Sequence, residues 1–345
     1  MLKEAFTDVV GNRALCQRLL EDILQKQLSH AYILEGKAGT GKHTLALRIA
    51  AALACDNRSN DSLPLPCMQC AACRKILSGN SPDIFYINKG EKATLGVDAI
   101  RELKSNLYIA PNELDVKIYI LEEAHLMTEE AQNAFLLTLE EPPSYVLFLL
   151  LCESTATLLE TVKSRAPTLR TEPLHTAQIR SYLLQKSTDA ANLQKNAPQE
   201  FEELLVAADG SIGKALELMR EETGKPLLAK RNAAREFVRL ATERRNSVAV
   251  LRYLNALGKK RDELISSLQM IQLCLRDLLL LKQTEEAPLC FFANREEALS
   301  LAYSFTSPEL LKLCDLIFEA CTKLQSNANV RLTLTSFAAD AGLLQ

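Results

Sequence analysis

Apolar positions along this chain follow two regimes that change over near Pro173: short continuous runs alternating with amphipathic stretches before it, and the helical period alone after it. Leu15, Leu19, Ile23 and Leu24 share one face of a helix predicted over 12–27, and the run Ala31-Tyr32-Ile33-Leu34 behind it predicts a strand. Residues 84–87, 117–121, 146–151 and 168–170 predict four further strands. Helices are expected over 97–107 and 128–139, the second stopped by Glu140-Glu141-Pro142-Pro143. Ile118-Tyr119-Ile120-Leu121 is apolar throughout, as suits a strand buried on both faces. Strands alternating with helices imply an α/β fold with a parallel, doubly wound sheet. Beyond Pro173, three helices are expected over 176–222, the last opened by Gly210-Ser211-Ile212-Gly213. From Pro226 long helical periods (Leu264, Leu268, Ile271, Leu275, Leu278, Leu279) run to Leu344 with interruptions near Pro288 and Pro308. The expected division is therefore an α/β domain over 1–172, a small helical lid over 173–222 and a larger helical bundle over 223–345.

Composition narrows this picture modestly. A chain of 345 residues with 48% hydrophobic positions, no tryptophan and 12 glycines is expected to be helix-rich, globular and built of several domains. The net charge of -3 leaves no global basic footprint, so any contact with nucleic acid has to come from a local patch or from partners. Arg231, Arg235 and Arg239 recur on one helix face; a solvated face is the expectation, with a partner or DNA contact as the alternative. Met1 to Phe6 lack an export signal and no apolar run reaches the length of a membrane span, which points to the cytoplasm.

The first chemistry-bearing motif is Gly36-Lys37-Ala38-Gly39-Thr40-Gly41-Lys42-His43-Thr44, set between a predicted strand and a predicted helix. Its glycines allow backbone N–H groups to turn inward on a phosphate at a helix N-terminus, and Lys42 can reach the β and γ oxygens of ATP or ADP. A ligand-free glycine-rich turn is the competing reading. Magnesium, however, wants a hydroxyl directly after the lysine, and His43 stands there. Thr44 lies about 100° further around the helix and cannot simply substitute. After the third strand, Glu122 and Glu123 occupy the place of an acidic pair, the first for Mg²⁺ and the second as a base polarising water. Glu122 carries one methylene more than the usual aspartate, displacing its carboxylate by about 1.5 Å, and placement errors of about 1 Å can cost on the order of 100-fold. The alternative is a solvated pair that caps the next helix.

Cysteine usage supplies a second motif. Cys55, Cys67, Cys70 and Cys73 form C-x11-C-x2-C-x2-C, a spacing that suits four thiolates closing on a structural zinc, against the alternative of reduced buried cysteines. Cys16, Cys152, Cys274, Cys290, Cys314 and Cys321 read mostly as small buried hydrophobes.

Longer stretches carry a family resemblance. Glu122-Glu123-Ala124-His125-Leu126-Met127, Asn133-Ala134-Phe135-Leu136, Leu139-Glu140-Glu141-Pro142-Pro143 and Ser164-Arg165 resemble the clamp-loader branch of the AAA+ ATPases, as do Phe6-Thr7-Asp8-Val9-Val10-Gly11 and Ser29-His30-Ala31-Tyr32. Thr94-Leu95-Gly96-Val97-Asp98-Ala99-Ile100-Arg101 is most similar to the delta-prime type of bacterial DNA polymerase III loaders. The resemblance implies a phosphate-loop domain with a zinc module at about 55–73, a lid, and a C-terminal collar for oligomerisation. It implies gamma or tau and delta subunits as partners, with the sliding clamp and primed DNA reached through the complex. Against the family's motor subunits, His43, Glu122, Cys152-Glu153 at the first sensor and Gly213 at the second depart together, and Leu137 replaces a lysine. Arg165 is kept, and the resemblance implies an arginine finger acting in trans on a neighbour's γ-phosphate; a surface ion pair is the alternative. The expectation is a largely non-hydrolysing subunit, with an active motor carrying an altered loop as the competing reading.

Overall fold

The computed structural model describes all residues except 1–5, 61, 243–249, 251, 255–259, 327 and 343–345. The chain divides into two compact units, Met1–Tyr182 with Gly210–Gly213, and Leu183–Asp209 with Lys214–Gln345.

The first unit is built on five strands: β1 (Ala31–Glu35), β2 (Ile84–Ile87), β3 (Lys117–Leu121), β4 (Val146–Cys152) and β5 (Thr168–Arg170). They pair in the order β2-β3-β4-β1-β5, every pair parallel. β3 and β4 are buried at every position, as central parallel strands covered on both faces must be. Successive side chains alternate between the faces. Tyr32, Leu34, Ile118, Ile120 and Leu149 pack with Leu20, Ile23, Leu45 and Ile49 and with Cys55, Cys67 and Cys73. Ile33, Tyr119, Leu121 and Phe148 pack on the other face with Ile100, Leu103, Phe135, Leu139, Val162 and Ala166. The expected α/β class is the one observed; the helix expected over 97–107 is found at Val97–Leu107, and the ends of the other two shift slightly, to Arg13–Leu24 and Glu129–Glu140. Thr128 caps the last of these by accepting the Ala131 N–H at 3.2 Å, Glu129 and Glu130 suit its dipole, and Pro142 follows its end.

The stretch expected to hold three helices holds four: Thr176–Lys186, Thr188–Asn196, Pro198–Ala207 and Ile212–Leu218. Ser187 caps the second by accepting the Ala190 N–H at 3.3 Å, and Pro198, with no N–H to give, opens the third. In the second unit Glu221–Thr242, Arg261–Gln283, Arg295–Tyr303, Ser307–Gln325 and Val330–Asp340 form a bundle whose core includes Phe237, Leu268, Ile271, Leu275, Leu278, Leu310, Ile317 and Phe337. The end of the expected helical run, at Leu344, lies outside the described residues. Arg261–Gln283 is long and apolar enough to cross a membrane, but its Leu264, Leu268, Ile271, Leu275 and Leu278 belong to this core.

The arginine stripe corrects its expectation. Arg231 is 1% exposed and Arg235 9%, so two of the three positions are interior rather than solvated. Arg231 lies over the Phe291 ring at 4.6 Å and donates to the Phe291 carbonyl; burial pulls its pKa down to about 10. Arg235 pairs with Glu203 at 2.7 Å. Asp277 organises the facing turn by accepting N–H bonds from Cys290, Phe291 and Phe292 at 3.0, 2.7 and 3.2 Å. Only Arg239, 3.2 Å from Glu297, keeps an exposed side chain.

Candidate functional site: a phosphate loop, a distant arginine and a cysteine knuckle

β1 feeds directly into the glycine-rich loop. Gly36 donates to the Cys152 carbonyl at 3.1 Å, and a Cβ there would stand 2.0 Å from Thr171 Oγ1, so a larger residue would collide. Gly39 and Gly41 take left-handed backbone, φ 71° and 92°. Thr40 is buried, its hydroxyl donating to the Lys37 carbonyl at 2.8 Å and meeting Thr171 Oγ1 at 3.0 Å. The helix Lys42–Leu53 then starts, with the unsatisfied N–H groups of its first turn at the loop. Lys42 Nζ donates to the carbonyls of Gly36 at 2.5 Å and Lys37 at 2.8 Å, closing the loop on itself. Burial lowers the Lys42 pKa, with Glu153 and Cys152 opposing the shift.

At the position expected to serve a metal, the side chain meets a carboxylate and an aromatic ring. His43 Nε2 stands 3.3 Å from Glu122 Oε1, and its ring stacks on Tyr86 with centroids 5.7 Å apart. The second Glu122 oxygen accepts from Asn88 Nδ2 at 3.4 Å. Glu123, proposed from sequence as a base, has left-handed backbone (φ 49°) and pairs with Lys89 at 3.3 Å. Thr44 is exposed. Magnesium needs about six oxygens in a tight octahedron at about 2.0–2.1 Å. With no hydroxyl after Lys42 and the Glu122 carboxylate facing an imidazole nitrogen, this donor set does not fit it.

Cys152 and Gly213, the two positions the resemblance compares with sensors, touch the loop through backbone. Cys152 ends β4 opposite Glu35; burial pushes its thiol up to about 12, Glu35 adding and Lys42 opposing. Glu153 N–H donates to His125 Nδ1 at 3.4 Å. Gly213 N–H donates to the Gly39 carbonyl at 3.4 Å, and a Cβ at 213 would lie 3.2 Å from Gly39 Cα. Sequence reasoning missed two participants. Tyr86 is a strand residue with nothing local to mark it as the platform for His43. Glu35 accepts from Thr155 N at 2.9 Å, Thr155 Oγ1 at 3.0 Å and Arg170 Nε at 2.9 Å. Although burial alone would raise its pKa, these donors lower it overall. A carboxylate closing an apolar strand was its one signal.

Arg165 is placed elsewhere. Its guanidinium pairs with Glu140 at 2.7 Å and donates to the Thr161 carbonyl at 3.0 Å. Glu140 ends the helix before β4, and Arg165 precedes β5, whose first residue Thr168 lies beside Ile33. Both therefore sit where strands begin, whereas the phosphate loop leaves where strands end. The helix Glu129–Glu140, which starts on the side where β3 ends, spans about 18 Å at about 1.5 Å per residue and carries its Glu140 end, with Arg165, that far from the loop side. Arg165 is thus out of reach of its own chain's loop.

Cys55, Cys67, Cys70 and Cys73 converge, their Sγ atoms all within 4.8 Å of one another. A tetrahedral zinc at about 2.3 Å from each thiolate sets sulfurs about 3.8 Å apart, so a small closure suffices. Backbone N–H groups of Cys70 and Cys73 point at the sulfurs of Cys67 and Cys70, both at 3.4 Å, and Asn57 Nδ2 reaches Cys67 Sγ at 3.4 Å. Burial works against a Cys67 thiolate, but these donors and Cys55 outweigh it and bring the pKa down to about 6. Burial pushes Cys55 and Cys73 upward. The group can hold a metal ion.

Comparison with known proteins agrees with the motifs. Residues 11–175 match the family model for the DNA polymerase III delta subunit. The tau subunit of DNA polymerase III from Bacillus subtilis (strain 168) is 35% identical over 216 residues, 63% of this chain and 37% of that protein. Residues 11–175 are thus similar to subunits of DNA polymerase III. A gamma/tau subunit from Mycoplasma pneumoniae is 42% identical over 144 residues, 42% of this chain and 20% of its own length. This chain therefore spans well under half of those curated relatives. A gamma subunit-related protein from Thermotoga maritima aligns over 94% of this chain and 97% of its own, at 19% identity and TM-score 0.46.

Proposed function

We propose that this protein is a delta-prime-like subunit of the DNA polymerase III clamp loader, acting in the cytoplasm, that hydrolyses ATP weakly or not at all and completes the site of a neighbour. The observation that carries this reading is the split between the two ends of the sheet. Around the loop, His43, Glu122, Cys152-Glu153 and Gly213 remove metal and sensor chemistry together, with Glu123 paired to Lys89 rather than free to act as a base. Gly36, Gly39, Thr40, Gly41, Lys42 and Thr44 keep the cradle for ATP or ADP. Arg165, a sheet length away and held by Glu140, is available to the γ-phosphate of an adjacent ATPase. Zinc on Cys55, Cys67, Cys70 and Cys73 is structural, since four thiolates leave no open coordination position. Residues 173–222 act as the lid and 223–345 as the collar that joins gamma or tau and delta subunits, and through that assembly the sliding clamp and primed DNA.

A second reading, an active gamma/tau-type ATPase, is favoured by the names of the relatives at 35% and 42% identity. One experiment separates the two. The isolated chain and its reconstituted complex with gamma or tau and delta subunits are assayed for Mg²⁺-dependent ATP turnover. Negligible turnover alone with robust turnover in the complex is expected. Robust turnover by the isolated chain, abolished by Lys42→Ala, selects the motor reading instead.

A further inference from the structure

We propose that the phosphate loop of this chain holds its nucleotide without magnesium, the His43–Glu122 pair standing where the ion would be. This rests on the nucleotide-pocket part of the reading above, and goes beyond loss of hydrolysis to the form of ligand the pocket accepts.

Three observations converge. The carboxylate that would face the ion is occupied on both oxygens, by His43 Nε2 at 3.3 Å and Asn88 Nδ2 at 3.4 Å. The imidazole is not a loose surface group, because the Tyr86 ring stacks on it at 17° between planes. No oxygen takes over the missing ligand, since Thr44, the nearest hydroxyl in sequence, is exposed and turned about 100° around the helix. Admitting a hydrated Mg²⁺ would require breaking the imidazole–carboxylate contact and the stack without supplying the hydroxyl. Admitting a metal-free polyphosphate requires only that Lys42 Nζ exchange its two loop carbonyls for phosphate oxygens, beside the N–H groups of the first helical turn. With Nε2 directed at the Glu122 carboxylate, the imidazole can offer a cation at most a nitrogen, never the hard oxygen ligand that Mg²⁺ requires.

The test uses the zinc-loaded chain, titrated calorimetrically with ATP and with ADP in excess Mg²⁺ and in the same buffer with Mg²⁺ omitted and no chelator added, and probed for retained Mn²⁺ by electron paramagnetic resonance in the presence of ATP. The expected result is an affinity equal within about twofold in the two buffers, or tighter without Mg²⁺, and no Mn²⁺ held by the protein. The double substitution His43→Thr with Glu122→Asp should introduce metal dependence, about tenfold weaker binding without Mg²⁺ together with retained Mn²⁺. Should that variant misfold, His43→Gln, which keeps polarity and removes the ring, gives the same comparison. A wild-type chain that loses about tenfold affinity when Mg²⁺ is omitted, or that holds Mn²⁺ beside ATP, overturns the proposal. So does a chain that binds no nucleotide in either buffer; assembly with the partner subunits, measured on the same preparation, then shows separately whether the loader reading stands.

Discussion

The two faces of the parallel sheet carry different chemistry at opposite ends. On one face the phosphate-loop helix and the cysteine knuckle share a core through Leu45, Ile49, Ala50, Cys55, Cys67 and Cys73. On the other, Phe135, Leu139, Val162 and Ala166 seat the two segments that bring Glu140 to Arg165. On the proposed reading, the first face keeps the scaffold of a nucleotide site but has exchanged the groups that would act on the γ-phosphate. The second keeps one cation in a defined frame, outside reach of that site. Scaffold and chemistry are separable in this fold: burial holds the loop in shape whatever follows Lys42, while the role proposed for Arg165 needs only a charge and a stable mount.

The sharpest way to break this comparison is to remove the finger. Arg165→Ala in the reconstituted loader is expected to lower ATP turnover at the neighbouring site by roughly 10³-fold, the low end of what such a charge contributes in trans. Assembly should be intact, because the residue is on the surface and its Glu140 contact is an exposed ion pair of little worth to stability. Unchanged turnover would make Arg165 no more than a partner for Glu140.

Removing the metal tests the first face. Cys67→Ser, or chelation, should reduce metal content from about one ion per chain to none and lower the melting temperature by roughly 10 °C, as expected when a site of this type contributes several kcal/mol. Proteolysis should begin between Cys55 and Cys67, with 129–170 still protected by its own core. A folded, reduced chain that melts unchanged after chelation removes zinc from the picture.

The local determinants of this architecture were legible in sequence, and the long-range ones were not. Apolar runs announced β3 and β4 because a strand covered on both faces cannot carry alternating polarity, and the helix Val97–Leu107 was marked by Gly96 before it and the spacing of Ile100, Leu103 and Leu107. Cysteine spacing likewise anticipated a cluster, three of whose members lie within seven residues and the fourth separated from them by eleven residues. Arg231 and Arg235 misled because charge is normally solvated; their compensation comes from Phe291 and Glu203, sixty positions ahead and thirty-two behind respectively, where no periodicity can reach. Tyr86 under His43 failed to register for the same reason: β2 and the loop helix become neighbours only once the sheet is assembled.

Repairing the metal position should have a small effect on turnover. His43→Thr with Glu122→Asp returns a hydroxyl and a shorter carboxylate, yet Cys152-Glu153 and Gly213 remain as they are. A gain in isolated ATPase below about tenfold is expected, since groups that act as a unit are not restored one at a time. A larger gain would mean that the sensors matter less here than the ion.

The smallest effect is expected at the residue that most defines the motif. In a conventional motor, removing the loop lysine abolishes activity, but on the proposed reading Lys42 serves a pocket that takes no part in turnover. Lys42→Met should therefore leave the ATPase of the reconstituted loader within about twofold, while abolishing nucleotide binding to the isolated chain. Its other cost is structural: the Gly36 and Lys37 carbonyls lose their donor, about 1–2 kcal/mol at the level of ordinary hydrogen bonds. Melting curves of the variant would register that loss, so a fall in loader activity that tracks lowered stability is distinguishable from one at full stability. The latter outcome would give this pocket a part in the cycle and erase the contrast between the two faces.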